Sequence, residues 1–460
     1  MTMLEPEIWP KFTPGQWVGG KRPPEAGPFC HDSRRCRAGE IFLALRTERA
    51  DGHAFGADAQ RLGASAAIVE SYRQELSLPQ FLVPSVLRAA QALARAHRFQ
   101  WGENGRRPLV AVAGSYGKTT TKDMLALLLG PRTLATCGNE NNALGISLTL
   151  SRLGPEHAQA VVEIGVDHPG EMALASAMTR PEVGVMTGIA PVHAVHFRSL
   201  EELVQEKLGL LREIQASGGK TYFPASCLLQ APFRTLADAA TVLVSRKEEE
   251  SLARGLPSVV SCELREASSE LWLDFAAGEE VYAIPPLSRG QAQSLALALC
   301  VAREWGCARG DLQRRLRQWR APSQRGQWKS CSLGRVYLDC YNANPVTLRD
   351  AVDFFHQKTS AERRIWVLGG MRELGIFSAE AHRHLGKSLP LRQGDAVLGI
   401  GHEMEECLKI LRARAVAGVE LEYSETGEGA GEWLRSHRGS FFVKGSRHYA
   451  LERLFEGFWD

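Results

Sequence analysis

A short glycine-rich stretch, Gly114-Ser115-Tyr116-Gly117-Lys118-Thr119-Thr120, carries the residue types best suited to binding phosphate. It follows the apolar segment 109–113 and precedes a helical pattern with Met124 and Leu128 on one face. Glycines let backbone N–H groups approach phosphate oxygens, a helix N-terminus adds partial positive charge, and a lysine and threonine can reach the terminal phosphates and Mg²⁺. Against this, Val112 stands where the usual pattern has its first glycine. We predict a nucleotide-binding loop.

Three further polar residues each permit two interpretations from the sequence pattern alone. Glu163 comes late in an apolar strand, where it is either a Mg²⁺ ligand at the ligand-binding edge of a parallel sheet or a solvated carboxylate. His193 similarly follows a strand-like segment, where it is either a ligand at that edge or, as is typical of such a residue taken alone, a hydrogen-bonded loop histidine. Lys207 lies on the apolar face of a helix that begins with the capping box Ser199 and Glu202. It either extends to water or is buried.

The elements that must position these residues fall into three regions. Residues 1–104 mix short apolar runs with helix-like pieces, and the polar segment 101–108 marks a boundary. Residues 105–321 alternate apolar strands with amphipathic helices, and the same alternation resumes over 322–460. The sequence therefore predicts an α/β protein with three domains: a small α/β domain, a central parallel-sheet domain with the phosphate loop, and a C-terminal Rossmann-like domain.

The composition of the chain argues against several classes of function. The 460 residues have a formal net charge of +3 with no long basic block, so a nucleic-acid partner is not expected. The ten cysteines include no C-x-x-C pair and no His/Cys spacing suited to zinc, which favours reduced thiols. With neither a signal-like N-terminus nor a membrane-spanning apolar run, we expect a cytoplasmic protein.

Eight motifs occur in an order that resembles the Mur ligases: AGSYGKTTT, GNENNALG, VVEIGVDHPGEM, APVH, QEK, LDCYNANP, MRELG and VKGSR. The N-terminal segment HDSRRCRAGEIFLALRTERADGHAF is similar to the UDP-binding domain of one branch of that family, and DCYNANP is typical of the same branch. The resemblance covers nearly the whole chain. It implies a UDP-sugar-binding domain at 1–104, an ATP-binding domain at 105–321 and a Rossmann-like ligase domain at 322–460.

The activity that the resemblance implies is ATP-dependent amide formation in cytoplasmic peptidoglycan precursor synthesis. In this branch, D-alanyl-D-alanine is added to UDP-N-acetylmuramoyl-tripeptide through an acyl phosphate, with Mg²⁺ as a cofactor, and we expect a monomer. Two alternatives remain: a related ligase that uses another acid or amine, and a nucleotide-binding regulatory protein without turnover.

The resemblance also implies roles for individual residues. The catalytic group comprises Lys118, Lys207, His193 and Glu163, with a possible carbamate on Lys207. Metal binding is implied for Thr119, Glu163, His193 and Lys207. ATP contacts are implied for Gly114, Ser115, Gly117, Lys118, Thr119, Thr120, Asn142, Arg325, Asp339 and Asn342. Substrate contacts are implied for Ser33, Arg34, Asn344, Lys444, Ser446 and Arg447.

Four positions depart from the pattern usual in the family. Gly188 and Asp167 each stand where an asparagine is common, Gly370 stands where an aspartate is common, and Thr47 replaces a glycine. We expect Gly188 and Gly370 to bear on how the third domain and the amine substrate are held.

Overall fold

The computed structural model describes residues 3–103, 107–190, 196–275, 278–359 and 362–460. Three β-sheets with flanking helices occupy these ranges, which confirms the predicted α/β class. Among the described helices, none combines the length and the apolar character needed to cross a lipid bilayer.

The first sheet has five strands in the order β1-β5-β4-β3-β2, and only β1 runs antiparallel to its neighbour. Ile41, Ile68 and Phe81 on its inner strands are fully buried. The elements of this region are β1 (Gln16–Val18), β2 (Phe29–Cys30), β3 (Ile41–Leu43), α1 (Gly56–Arg61), β4 (Ala66–Val69), β5 (Gln80–Leu82) and α2 (Val86–Glu103).

The central sheet has nine strands in the order β14-β13-β12-β11-β10-β9-β6-β8-β7, with a final antiparallel hairpin on an otherwise parallel sheet. Its strands are β6 (Leu109–Ala113), β7 (Thr133–Ala135), β8 (Gln159–Glu163), β9 (Val183–Met186), β10 (Lys220–Pro224), β11 (Ala240–Val244), β12 (Val259–Arg265), β13 (Glu270–Phe275) and β14 (Gly278–Ala283). Its helices are α3 (Lys118–Leu129), α4 (Ala143–Ser151), α5 (Glu171–Thr179), α6 (Leu200–Ala216), α7 (Ala231–Arg234), α8 (Arg289–Glu304) and α9 (Arg309–Leu316).

Helices cover both faces of the central sheet. All five residues of β6 are buried, as expected for a strand covered on both faces. On one face, α3 packs against α8. On the other face, α2 packs against α4 and α5, and the Trp101 indole N–H donates to Gly154 O at 2.9 Å. Helix α2 therefore joins the first sheet to the central one.

The third sheet has six strands in the order β15-β16-β20-β17-β18-β19, of which only β15 is antiparallel to its neighbour. Its elements are β15 (Gln327–Cys331), β16 (Gly334–Leu338), α10 (Pro345–Lys358), β17 (Arg364–Gly369), α11 (Ser378–Ser388), β18 (Ala396–Ile400), α12 (Met404–Arg414), β19 (Glu420–Ser424), α13 (Ala430–Arg435) and β20 (Gly439–Lys444).

Candidate functional site

The glycine-rich loop joins β6 to α3, as its sequence predicts. Gly114 has φ 144°, and a Cβ added there would lie 2.2 Å from Thr187 Oγ1, so only glycine fits. Gly117 has φ 75° and precedes Lys118, the first residue of α3. Lys118 Nζ donates to Gly114 O at 2.9 Å, across the loop. The loop therefore directs the N-terminus of α3 and a lysine toward one concave surface.

Neighbouring strands end at the same edge of the sheet. β6 lies between β8 and β9, with Val112 opposite Glu163 and Ala113 opposite Met186. The segment after β9 is fastened to the loop, because Ser115 N–H donates to Gly188 O at 2.8 Å and Ser115 Oγ donates to Ala190 O at 2.9 Å. The strand ends thus place the loop, Glu163 and residues 188–190 together.

The third sheet presents its own strand ends to this surface. Asp339 follows β16 and Lys444 ends the adjacent parallel strand β20, so their side chains meet with Lys444 Nζ 2.5 Å from Asp339 Oδ2. Burial raises the pKa of Asp339, and the Lys444 ammonium opposes that shift. The Arg325 guanidinium lies over the Tyr341 ring, 3.9 Å from its centroid. Charged and aromatic groups from the third region therefore face the phosphate loop.

A cavity of about 290 Å³ lies between the central sheet and the third sheet. It brings together eight of the ten predicted nucleotide residues, two predicted substrate residues and one further predicted metal ligand. The nucleotide residues are Ser115, Gly117, Lys118, Thr119, Thr120, Arg325, Asp339 and Asn342, the substrate residues are Asn344 and Lys444, and the metal ligand is Glu163. Gly114, Asn142, Lys207, Ser446 and Arg447 do not line it, nor do Ser33 and Arg34.

Glu163 is buried rather than solvated, with 1% of its surface exposed. Its Oε1 accepts a hydrogen bond from Asn141 Nδ2 at 2.8 Å, while its Oε2 has no hydrogen-bond partner among the described residues. Burying a carboxylate oxygen unpaired is costly, and oxygen ligands suit Mg²⁺. The Glu163 carboxylate, with Thr119 across the cavity, therefore fits a bound Mg²⁺ ion. His193, a further predicted metal ligand, lies outside the described residues.

Lys207 is also buried, with 2% of its surface exposed, so it does not extend to water. Burial lowers its pKa to about 7, and the Lys118 cation adds to that effect, while Asp167, Glu206 and Glu171 oppose it. Burial likewise lowers the pKa of Lys118, against the influence of Glu163. The two lysines and Glu163 thus form one electrostatic cluster beside the cavity.

Two predicted contacts have other partners. Asn142 caps α4, with its Oδ1 accepting from Gly145 N–H at 2.9 Å, so Asn139 and Asn141 rather than Asn142 line the cavity. Lys444 is only 2% exposed and also donates to the carbonyls of Asp339 and Asn342, both at 3.2 Å. Its amino group is therefore already hydrogen-bonded to groups of Asp339 and Asn342 at the wall of the cavity.

The remaining predicted substrate residues lie elsewhere on the molecule. Ser446 is largely buried, and the Arg447 side chain donates to Gln324 Oε1 at 2.7 Å. Ser33 and Arg34 lie in a 3-10 turn of the first region, where the highly exposed Arg34 side chain forms an ion pair with Asp32 at 2.9 Å. These four residues are thus not brought into the cavity around Lys118.

Sequence reasoning missed two residues at the junction of the regions. Asp350, on α10, accepts hydrogen bonds from Ser288 Oγ at 2.5 Å and Gly290 N at 2.9 Å, at the N-terminus of α8. Tyr116 lines the cavity, and its ring lies 2.4 Å from where a Cβ on Gly188 would be. For Asp350, the only signal in the sequence was an aspartate beside apolar residues in a helical pattern. No sequence pattern linked Tyr116 with Gly188.

Comparison with known proteins agrees with this geometry. Residues 112–253 match the Mur ligase middle domain, and residues 324–443 match the Mur ligase, glutamate ligase domain. The UDP-N-acetylmuramoyl-tripeptide--D-alanyl-D-alanine ligase of Escherichia coli is 28% identical over 81% of this chain and 80% of its own length. The enzyme of that name from Treponema pallidum is 27% identical over 92% of each chain.

Solved structures agree as well. The crystal structure of MurF from Acinetobacter baumannii superposes with a TM-score of 0.82 at 27% identity, over 99% of this chain and 98% of its own. MurF ligase from Thermotoga maritima, solved in complex with ADP, shares the fold with a TM-score of 0.75 at 24% identity, over 94% and 96% of the two chains.

Proposed function

Because this chain belongs to the Mur ligase family, we propose that it is an ATP-dependent ligase that adds D-alanyl-D-alanine to UDP-N-acetylmuramoyl-tripeptide during cytoplasmic peptidoglycan precursor synthesis. One observation carries the proposal: the cavity between the central and third sheets joins a phosphate loop to the ion pair of Asp339 and Lys444. The names of relatives that align over most of their length support the choice of substrates.

ATP would lie across this cavity. Its phosphates would meet the loop N–H groups, Lys118 and Thr119 at the N-terminus of α3, where the helix dipole also favours an anion. Its nucleoside end would face Arg325, Asp339 and Tyr341 from the third region.

Thr119 and Glu163 would hold Mg²⁺, with His193 as a further proposed ligand. When bound, Mg²⁺ neutralises charge that develops on transferring phosphoryl oxygens. We include Lys207 in the same site as a carbamate. Its pKa of about 7 leaves a large neutral fraction able to attack CO₂, and the resulting anion would no longer repel a cation.

The first chemical step brings together two anions, because the tripeptide carboxylate attacks the γ-phosphate of ATP and expels ADP. Lys118 would offset their repulsion while the loop holds the phosphates in line for transfer. The product, an acyl phosphate, is then attacked by the amine of D-alanyl-D-alanine, and the tetrahedral intermediate expels phosphate. This sequence needs no protein nucleophile, so positioning and positive charge supply most of the catalysis.

Because Arg325, Asp339 and Tyr341 come from the third region, nucleotide binding would depend on how that region lies against the central one. We propose that Lys444 acts by orienting Asp339, since its amino group is committed to that carboxylate and two carbonyls. Ser33 and Arg34 would contact the UDP-sugar in the first region, and Asn344, Ser446 and Arg447 would lie toward the peptide substrates.

A substrate matrix tests the proposal. Purified protein is assayed for ADP release with UDP-N-acetylmuramoyl-peptides of different length, each combined with D-alanyl-D-alanine or a single amino acid. We expect turnover only when the tripeptide nucleotide and the dipeptide are both present, and mass spectrometry should find the pentapeptide product. Preference for another acid and amine would overturn the substrate assignment, while absence of ADP release with every pair would favour a regulatory protein.

A further inference from the structure

The edge of the first sheet carries a cluster of three potential metal ligands, Cys30, Cys36 and Glu40. None of them lines the cavity around Lys118. One donor atom from each, two Sγ atoms and a carboxylate oxygen, all lie within 4.8 Å of one another. Cys30 ends β2, and Cys36 directly follows the 3-10 turn formed by residues 33–35. This turn reverses the chain and brings together two thiols that are separated by five residues in sequence.

We propose that Cys30, Cys36 and Glu40 bind a thiophilic divalent cation, with Zn²⁺ the preferred ion. Thiolate and carboxylate are established zinc donors, and three protein ligands leave a fourth tetrahedral position for water. Bond lengths of about 2.0–2.3 Å would place donors on one tetrahedral ion about 3.6–3.8 Å apart. The observed separations are close enough for small side-chain rotations to complete such a site.

The surroundings of the three side chains suit a bound ion. Cys30 is 9% exposed and Cys36 is 6% exposed, and they pack in an apolar cluster with Phe42 and Val69. Glu40 is only half-buried, which gives an ion access from solvent. Its Oε2 accepts a hydrogen bond from Arg37 N–H at 2.9 Å, which orients the carboxylate.

Charge in the cluster also favours a cation. Each thiol donates to a backbone carbonyl, Cys30 Sγ to Asp32 O at 3.2 Å and Cys36 Sγ to Arg37 O at 3.9 Å. The Glu40 carboxylate raises the pKa of both thiols. Two ionised thiols beside this carboxylate would bring three negative charges within 4.8 Å of one another, which a bound divalent ion would offset. Binding replaces the S–H bond of each thiol with a metal–sulfur bond and releases the two protons to solvent.

The site goes beyond the proposed ligase function and does not depend on it. Its C-x5-C-x3-E spacing matches none of the short zinc patterns, which explains why the sequence alone predicted no zinc site. The ion would clamp both ends of the turn that carries Ser33 and Arg34. Zinc would thereby stiffen a surface of the first region.

Metal titration of the reduced, full-length protein tests the site. Zn²⁺ affinity is measured against a chromophoric chelator, and Co²⁺ is used to detect sulfur-to-metal charge transfer. We expect one tight equivalent in the wild type, a loss of affinity of about 100-fold or more in Cys36→Ser, and a loss of about 10-fold or more in Glu40→Gln. Cys307→Ser, which removes a partly exposed thiol from another region, should bind as the wild type does.

Alkylation of the thiols in the wild type gives a second measurement, which does not require any variant to fold. In the wild type, Zn²⁺ should protect Cys30 and Cys36 from alkylation, and a chelator should restore their reactivity. Equal Zn²⁺ affinity in Cys36→Ser and wild type, or no tight equivalent in the folded wild type, would overturn the proposal. So would a Cys30–Cys36 disulfide that persists in the presence of reductant, because neither sulfur would then be a thiol able to bind the ion.

Discussion

Replacing Lys207 by methionine tests whether an ammonium group is held in the protein interior. Lys207 is 2% exposed on α6, and methionine keeps an unbranched side chain of similar length without the charge. Burial lowers the lysine pKa from 10.5 to about 7. At about 1.4 kcal/mol for each pH unit, this difference corresponds to about 5 kcal/mol of destabilisation when the group is fully protonated in both states.

The sign of the pH dependence follows from proton binding. Between pH 7 and 10.5 the unfolded chain keeps the Lys207 proton while the folded protein has lost it, so the free energy of unfolding rises with pH. Below pH 7 both states are protonated and the full destabilisation is present. The stability advantage of Lys207→Met should therefore be constant below about pH 7 and shrink by about 3 kcal/mol between about pH 7 and 9.

Urea unfolding in CO₂-depleted buffer at several pH values measures this difference. Arg212→Met is the matched control, because Arg212 is an exposed cation on the same helix. Its stability relative to the wild type should not follow the same pH trend. A Lys207→Met advantage that stays constant from pH 7 to 9 would refute a depressed lysine pKa, and with it the basis for carbamate formation.

Four other substitutions probe the cavity and its supports. Lys118→Ala should stay folded but lower ADP release by about 100-fold, because a charge contact to the transferring phosphate is lost; near wild-type turnover would contradict this. Glu163→Gln should raise the Mg²⁺ concentration for half-maximal activity about 10-fold or more, and an unchanged Mg²⁺ titration would argue against a metal ligand there. Gly188→Ala should lower the free energy of unfolding by about 1–3 kcal/mol because its Cβ would meet the Tyr116 ring, and a urea double-mutant cycle with Tyr116→Ala should show partial relief rather than additivity. Asp350→Ala should raise the KM for ATP more than it lowers kcat, since it loosens the junction without touching the reacting atoms; an unchanged KM would show that the junction does not support nucleotide binding.

The strand, loop and helix around Lys118 could be predicted because the relevant signals are local. A run of apolar residues, two glycines and a helical pattern follow one another within 20 residues, and each specifies its own backbone conformation. Glu163 and Lys207 could not be decided in this way. Whether each is solvated or buried depends on helices and strands distant in sequence, which only the folded structure brings around them.

The differences at Asn142 and the cysteine cluster have a similar cause. Asn142 and Asn141 are adjacent, and the choice of which one caps α4 decides which one faces Glu163. A one-residue shift in a helix boundary is within the uncertainty of any sequence pattern. Cys30 and Cys36 meet only because the intervening turn is closed by its Asp32 cap, a tertiary detail that spacing rules do not include.

The junction between the central and third regions links the parts of the site energetically. Asp350 holds the N-terminus of α8 by two hydrogen bonds, but burial raises the pKa of its carboxyl, so desolvation offsets part of what those bonds contribute. Because the two effects oppose each other, the Asp350 contact stabilises the observed arrangement of the central and third regions only modestly. A nucleotide that touches both Lys118 and Arg325 would bind this arrangement better than one in which the regions are apart, and would shift the population toward it. Since the proposed phosphate contacts come from one sheet and the nucleoside contacts from the other, ATP binding and assembly of the site would be a single coupled event.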